Sequence, residues 1–142
     1  MTTPKDVIII DDANAVPSEY KAALEAAGYA VRHISSMKGA VDYIGSLKAP
    51  ASLYLIDLVM PVGDSGISLA ESSNGLKAGV VIIQRLRAKV SDAACIMMMT
   101  FVPEEQIVSD IAQEIDVPIF QKVDVNPAKL VEIVGRKIGP AC

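Results

Sequence analysis

Short apolar runs alternate along this chain with stretches whose apolar positions recur every three or four residues, the alternation expected of a parallel sheet wrapped by helices. Val7 to Ile10 reads as the first strand. Pro17-Ser18-Glu19 then opens a helix that turns Tyr20, Ala23, Leu24 and Ala27 to one side and stops at Gly28. Tyr29 to Ile34 is a second, more polar strand, and Ser36 caps a helix with Met37, Val41, Ile44 and Leu47 on one face until Ala49-Pro50 ends it. Leu53 to Ile56 is apolar on both faces, the mark of a central strand. Ala94 to Met99 is the fourth strand. Pro103-Glu104-Glu105 starts a helix with acids in its first turn, where the helix dipole favours them, and with Ile107, Ile111 and Ile115 on one stripe. Pro118 to Gln121 is the fifth strand. Asn126-Pro127 supplies an N-cap followed by proline at the first helical position, and Leu130, Val134 and Ile138 form the inner stripe of the last helix, with Arg136 and Lys137 near its end.

One interval breaks the rhythm. The stretch between Asp57 and Thr100 exceeds the roughly 30 residues that a compact strand–helix–strand crossover needs. The surplus falls in residues 62–79, VGDSGISLAESSNGLKAG, rich in Gly and Ser, and reads as an inserted loop ahead of a third helix. The spacing of Leu76, Val80, Ile83 and Leu86 places that helix from about Leu76 to Ala88, although Val80 to Ile83 alone also suits a strand. The insertion has two readings: a solvated Ω-like loop, tolerated because closure entropy grows slowly with length, or a lid or docking element that brings Asp64, Ser65 and Ser68 near the tip of the third strand.

At 142 residues and 15.0 kDa the chain suits a single domain, residues 1–142, with enough core to need no disulfide or structural metal. Hydrophobic residues make up 51% and mean hydropathy is +0.39, yet no run approaches the roughly 20 apolar residues that cross a bilayer, so the excess belongs in a buried sheet. The first residues form no leader pattern, which leads to the expectation of a cytoplasmic protein without membrane contact. Cys95 lies in an apolar run and Cys142 is the last residue, a placement that fits two free thiols better than a bridge. A net charge of −4, a pI near 4.9, two Phe and no Trp argue against direct nucleic-acid binding.

The candidate chemistry sits at the ends of the apolar runs. Asp11 and Asp12 follow VIII, Asp57 follows LYLI, Thr100 follows CIMMM and Lys122 follows PIFQ. In a doubly wound sheet, ligands bind beyond the carboxyl ends of the strands, which is where all five fall. Each alone has a plainer reading: a loop cap, a polar strand end, a solvated edge charge. As a set they make a phosphoryl-transfer site, because a carboxylate that attacks a phosphoryl anion needs a divalent cation beside it, and clustered carboxylates hold a hard cation such as Mg²⁺. The order Asp-Asp, Asp, Thr, Lys, its spacings, and Met60-Pro61 shortly after Asp57 resemble the response-regulator receiver domain of two-component signalling, over nearly the whole chain.

The resemblance implies a flavodoxin-like α/β fold: a five-stranded parallel sheet of order 2-1-3-4-5 with helices on both faces. It implies that Asp57 is the phosphoacceptor, that Asp11, Asp12, Asp57 and the backbone carbonyl of Val59 bind Mg²⁺ (or Mn²⁺), and that Lys122 and Thr100 contact the phosphoryl oxygens. The expected activity is that of a single-domain response regulator. It takes a phosphoryl group from a sensor histidine kinase or phosphotransfer protein and changes its contacts with an output partner; it is not an enzyme beyond its own phosphorylation and slow dephosphorylation. The competing expectation is a degenerate receiver-like interaction or dimerisation module not regulated by phosphorylation, with a second copy of the chain among the expected partners. An aspartyl phosphatase would need an acid where Val59 stands, and a dinucleotide fold would need a Gly-rich turn after the first strand.

Five positions depart from the family. Val123 replaces the proline that usually follows the lysine, so the Lys122 loop is expected trans and differently shaped. Phe101 stands where a small residue borders the pocket, either narrowing it or pointing outward, and could take over as the moving aromatic. Ile119 replaces the switch aromatic, with Phe120 on the opposite strand face. Val59 and Val102, unable to orient a hydrolytic water, predict slow loss of the phosphoryl group. His33, the sole histidine, reads as structural, as do Met97, Met98 and Met99.

Overall fold

The computed structural model describes residues 3–90 and 95–142. Five strands alternate with five helices: β1 (Asp6–Ile10), α1 (Ala15–Ala26), β2 (Ala30–Ile34), α2 (Met37–Gly45), β3 (Leu53–Asp57), α3 (Ala78–Val90), β4 (Ile96–Thr100), α4 (Glu105–Ile115), β5 (Ile119–Gln121) and α5 (Pro127–Ile138), with one 3-10 turn at Lys122–Asp124. The sheet order is β2-β1-β3-β4-β5 and every pairing is parallel, the flavodoxin-like doubly wound arrangement expected from the sequence. The expected start of the fourth strand at Ala94 lies outside the described residues.

Side chains alternate across the pleat and divide the core in two. Ile8, Ile10, Tyr54, Ile56 and Met98 meet Met37, Ile44, Ile83, Leu86 and Ile111 on the face covered by α2, α3 and α4. Val7, Ile9, Leu53, Leu55, Met97 and Met99 meet Tyr20, Leu24, Leu130 and Val134 on the face covered by α1 and α5. β3 is buried at all five positions, so it feeds both layers at once. The caps form as read: Ser36 Oγ accepts from Gly39 N at 3.0 Å and Asn126 Oδ1 from Lys129 N at 2.8 Å.

Three local expectations fail for physical reasons. α1 begins at Ala15, two residues before Pro17, because the first turn of a helix has no intrahelical use for its N–H groups and so tolerates proline within it. α3 begins at Ala78; Leu76 precedes it and is 59% exposed, while Val80, Ile83 and Leu86 are buried as expected, and Val80–Ile83 is helical. Ile107 lies in the first turn of α4, where it borders an open cavity beside Leu58 and Leu76, and is 50% exposed, leaving Ile111 and Ile115 as the buried stripe.

The insertion is held by its own serines. Ser65 Oγ accepts from Ile67 N (3.2 Å), Ser68 Oγ from Glu71 N (2.9 Å), and the fully buried Ser72 Oγ from Gly75 N (3.1 Å). Ile67 is buried in the α2–α3–α4 layer, so the segment is partly embedded rather than a wholly solvated loop. Gly75, at φ +88°, returns the chain against the third strand's exit: its carbonyl accepts from Met60 N at 3.2 Å, and a Cβ there would fall 2.7 Å from the Met60 carbonyl oxygen.

Candidate functional site

The five polar residues arrive at one end of the sheet because each terminates or follows a strand. Asp11 leaves β1 with its N–H on Ile34 O (3.1 Å), and its fully buried carboxylate accepts from Ala13 N at 2.9 Å through Oδ1. Asp12, next in the chain, is exposed. Asp57 closes β3 and pairs in register with Met99, one residue short of Thr100, which closes β4. Lys122 follows β5; its peptide bond to Val123 is trans, as no cis bond occurs among the described residues, and the 3-10 turn folds its buried side chain inward.

Lys122 Nζ is shared by two carboxylates, lying 2.6 Å from Asp11 Oδ2 and 3.3 Å from Asp57 Oδ1. Carboxylate oxygens of Asp11, Asp12 and Asp57 lie within 4.8 Å of one another, so three acids converge against a single ammonium and could hold a metal ion. Asp57 is 7% exposed. Burial, and then the Asp11 carboxylate, push its carboxyl up to about 7 against the opposing pull of Lys122, with Asp12 adding to the rise. A hard cation would relieve this repulsion, and the donor set of three carboxylates suits one.

Beside the acids opens a cleft of about 370 Å³ whose polar residues are Asp57 and Thr100 and whose walls are Val59, Leu76, Phe101, Val102 and Pro103. Thr100 Oγ1 accepts from Val102 N at 2.9 Å, and Gln121 Nε2 donates to Val102 O at 2.7 Å, tying the loop after β4 to β5. The Phe101 ring lies 4.8 Å from Lys122 Nζ, a cation–π contact, so this side chain narrows the mouth rather than pointing away. Ile119 packs with the α2–α3–α4 layer and Phe120 with the opposite one, which puts the only aromatic of β5 on the face away from α4. A larger cavity, about 440 Å³, lies at the other end of the sheet among Arg87, Cys95, Asp116 and Lys137, remote from the acids.

Several contributors escaped the sequence reading. Of the insertion residues expected near the acceptor, Ser65 and Ser68 are engaged by the loop's own N–H groups, and it is Leu76 that reaches the cleft. Gly79, at the start of α3, donates its N–H to Leu58 O at 2.9 Å and leaves no room for a Cβ against the Asp57 carbonyl. His33 Nε2 lies 2.7 Å from the Asp11 carbonyl oxygen; donating there, it props the acidic turn, a structural role as expected. A glycine just after a loop and ahead of a helical run was the one available signal for Gly79; nothing local marked Leu76.

No protein-family model matches this chain, and no curated protein matches it. Solved structures do. A CheY-like response regulator receiver domain protein from Methanospirillum hungatei is 20% identical, with 96% of this chain and 94% of that one covered at a TM-score of 0.72. The chemotaxis response regulator CheY4 of Vibrio cholerae is 18% identical over 94% of this chain and 98% of its own, at 0.72. The signal receiver domain of a putative Luxo repressor protein from Vibrio parahaemolyticus is 16% identical over 96% and 91%, at 0.70. Identities this low speak for architecture, and together with the strand order they establish that this chain has the fold of the response-regulator receiver domains.

Proposed function

We propose that the chain is a phosphoacceptor signalling domain in which Asp57 takes a phosphoryl group from a phosphohistidine of a sensor kinase or phosphotransfer protein. The observation that carries this reading is the shared ammonium: Lys122 bridges Asp11 and Asp57 at 2.6 and 3.3 Å, with Thr100 at the adjacent strand tip. An Asp57 oxygen forms a bond to phosphorus as the phosphorus–nitrogen bond breaks, and the imidazole leaves with the electron pair. Asp11, Asp12, Asp57 and the Val59 carbonyl are the residues that would hold Mg²⁺ or Mn²⁺, which supplies the positive charge that lets one anion approach another. Lys122 neutralises one phosphoryl oxygen and the Thr100 hydroxyl donates to another.

The Thr100 hydroxyl, which accepts from Val102 N in the free protein, couples that donation to the loop after β4 and so to the surface read by an output partner. Val59 and Val102 give a hydrolytic water no side-chain partner, so the phosphoryl group is lost slowly. The setting is cytoplasmic signalling by contact; among the described residues no helix is long and apolar enough to cross a membrane.

Intact mass after incubation with acetyl phosphate and Mg²⁺ tests the reading, with Asp57→Asn and metal-free controls. One added phosphoryl mass that requires both Asp57 and metal is expected. No gain from acetyl phosphate or from a phosphorylated phosphotransfer protein, in folded and metal-saturated material, would overturn it in favour of a module that acts by binding alone.

A further inference from the structure

Two large apolar side chains stand at the mouth of the cleft without the reward of burial. Leu76, from the insertion, is 59% exposed and Phe101, after Thr100, is 52% exposed, yet both line the space that ends on Asp57. Each is held by a local device. Gly75, locked at φ +88° against Met60, delivers Leu76, and the Lys122 ammonium sits 4.8 Å from the Phe101 ring.

We propose that Leu76 and Phe101 are positioning residues that form an apolar gate over Asp57, keeping water from the phosphoryl group, with Phe101 also holding the Lys122 ammonium in place. This rests on the phosphoacceptor reading. In the loss reaction a water oxygen bonds to phosphorus as the bond to Asp57 breaks; the carboxylate leaves with the electron pair, inorganic phosphate departs, and the water's proton must find an acceptor. The walls supply none from their side chains. Val102 O, a main-chain acceptor on the same loop, is engaged by Gln121 Nε2 at 2.7 Å, which leaves it a weaker acceptor than a free carbonyl. The inserted segment thus contributes to the chemistry of Asp57 through Leu76 rather than through Asp64, Ser65 or Ser68.

The test compares the wild type with Leu76→Ala, Phe101→Ala, Phe101→Leu and Phe101→Tyr in two measurements. The first is the decay of phosphoryl mass after acetyl phosphate is removed. The second, on metal-free protein that never sees a donor, is the rate at which an acylating reagent labels Lys122, with the exposed Lys48 as internal reference. Loss of the phosphoryl group should quicken about tenfold in Leu76→Ala and in Phe101→Ala. Phe101→Tyr should restore wild-type behaviour in both measurements. Phe101→Leu, which keeps apolar bulk without a ring, should keep the slow decay while Lys122 labelling rises about two- to fivefold, as in Phe101→Ala. Leu76→Ala should leave labelling unchanged. Decay rates within about twofold of wild type in both alanine variants overturn the gate while leaving the acceptor reading intact. A wild type that takes up no phosphoryl group sinks the acceptor reading and the gate with it.

Discussion

Gly79 and Asp57 meet backbone to backbone: the first turn of α3 lies so close to the Asp57 carbonyl that no side chain fits between them, and Gly79 N–H ties the helix to Leu58 O at 2.9 Å. β3 and the helix behind it are therefore set against one another by the absence of a single carbon.

Gly79→Ala should destabilise the protein by about 1–3 kcal/mol in urea denaturation, because overpacking outweighs the ~1 kcal/mol that alanine gains over glycine in a helix. Gly135→Ala is the contrast. In α5 a Cβ at that position meets only the Tyr29 hydroxyl at 3.9 Å, so the same substitution should stabilise by about 0.5–1 kcal/mol. Equal signs for the two would refute the close-approach account.

The Asp57 carboxyl, raised from its ordinary 3.8 to about 7, makes metal-free stability depend on pH. Between those values the folded chain holds a proton that the unfolded chain has released. Its contribution is therefore whole below the unfolded value and is lost as pH rises through the folded one. Relative to Asp57→Asn, which does not titrate, the metal-free wild type should lose stability on the order of a few kcal/mol between acid and mildly alkaline pH. Parallel stability curves for the two proteins in chelator would contradict this.

Lys122→Ala strands two buried carboxylates and should cost about 3–5 kcal/mol. In an Asp11→Asn, Asp57→Asn background the same substitution should cost much less, and the thermodynamic cycle reads the coupling directly. Additive losses would mean that the ammonium is held by packing alone.

Mg²⁺ or Mn²⁺ should raise the melting temperature of the wild type in a concentration-dependent way. Asp12→Asn separates binding from folding: the side chain is exposed, so metal-free stability should stay within about 0.5 kcal/mol, while the response to metal weakens sharply. An undiminished metal response in Asp12→Asn would remove this residue from the cation site.

Most of the architecture was legible because period decides it. Apolar runs on strands and three-to-four spacing on helices fix the alternation, and polar residues at run ends mark where β1, β3, β4 and β5 stop. What stayed hidden depends on approach between segments distant in sequence. Leu76 carries the helical spacing of Val80 and Ile83, but the turn at Gly75 places it outside the helix and over the cleft. Ile107 shares the stripe of Ile111, but it borders the open cavity beside Leu58 and Leu76 and stays half exposed. The contacts of Gly79 with Asp57 and of His33 with Asp11 involve backbone atoms, which no side-chain pattern encodes.

The ion pair between Asp11 and Lys122 joins residues 111 positions apart, the exit of the first strand to the exit of the last. Without β5, the carboxylates at the centre of the sheet would face each other with no ammonium between them. A sheet lacking its last strand is thus penalised at the place where the polar residues converge, and the lysine proposed to meet a phosphoryl oxygen also rewards the sheet's completion.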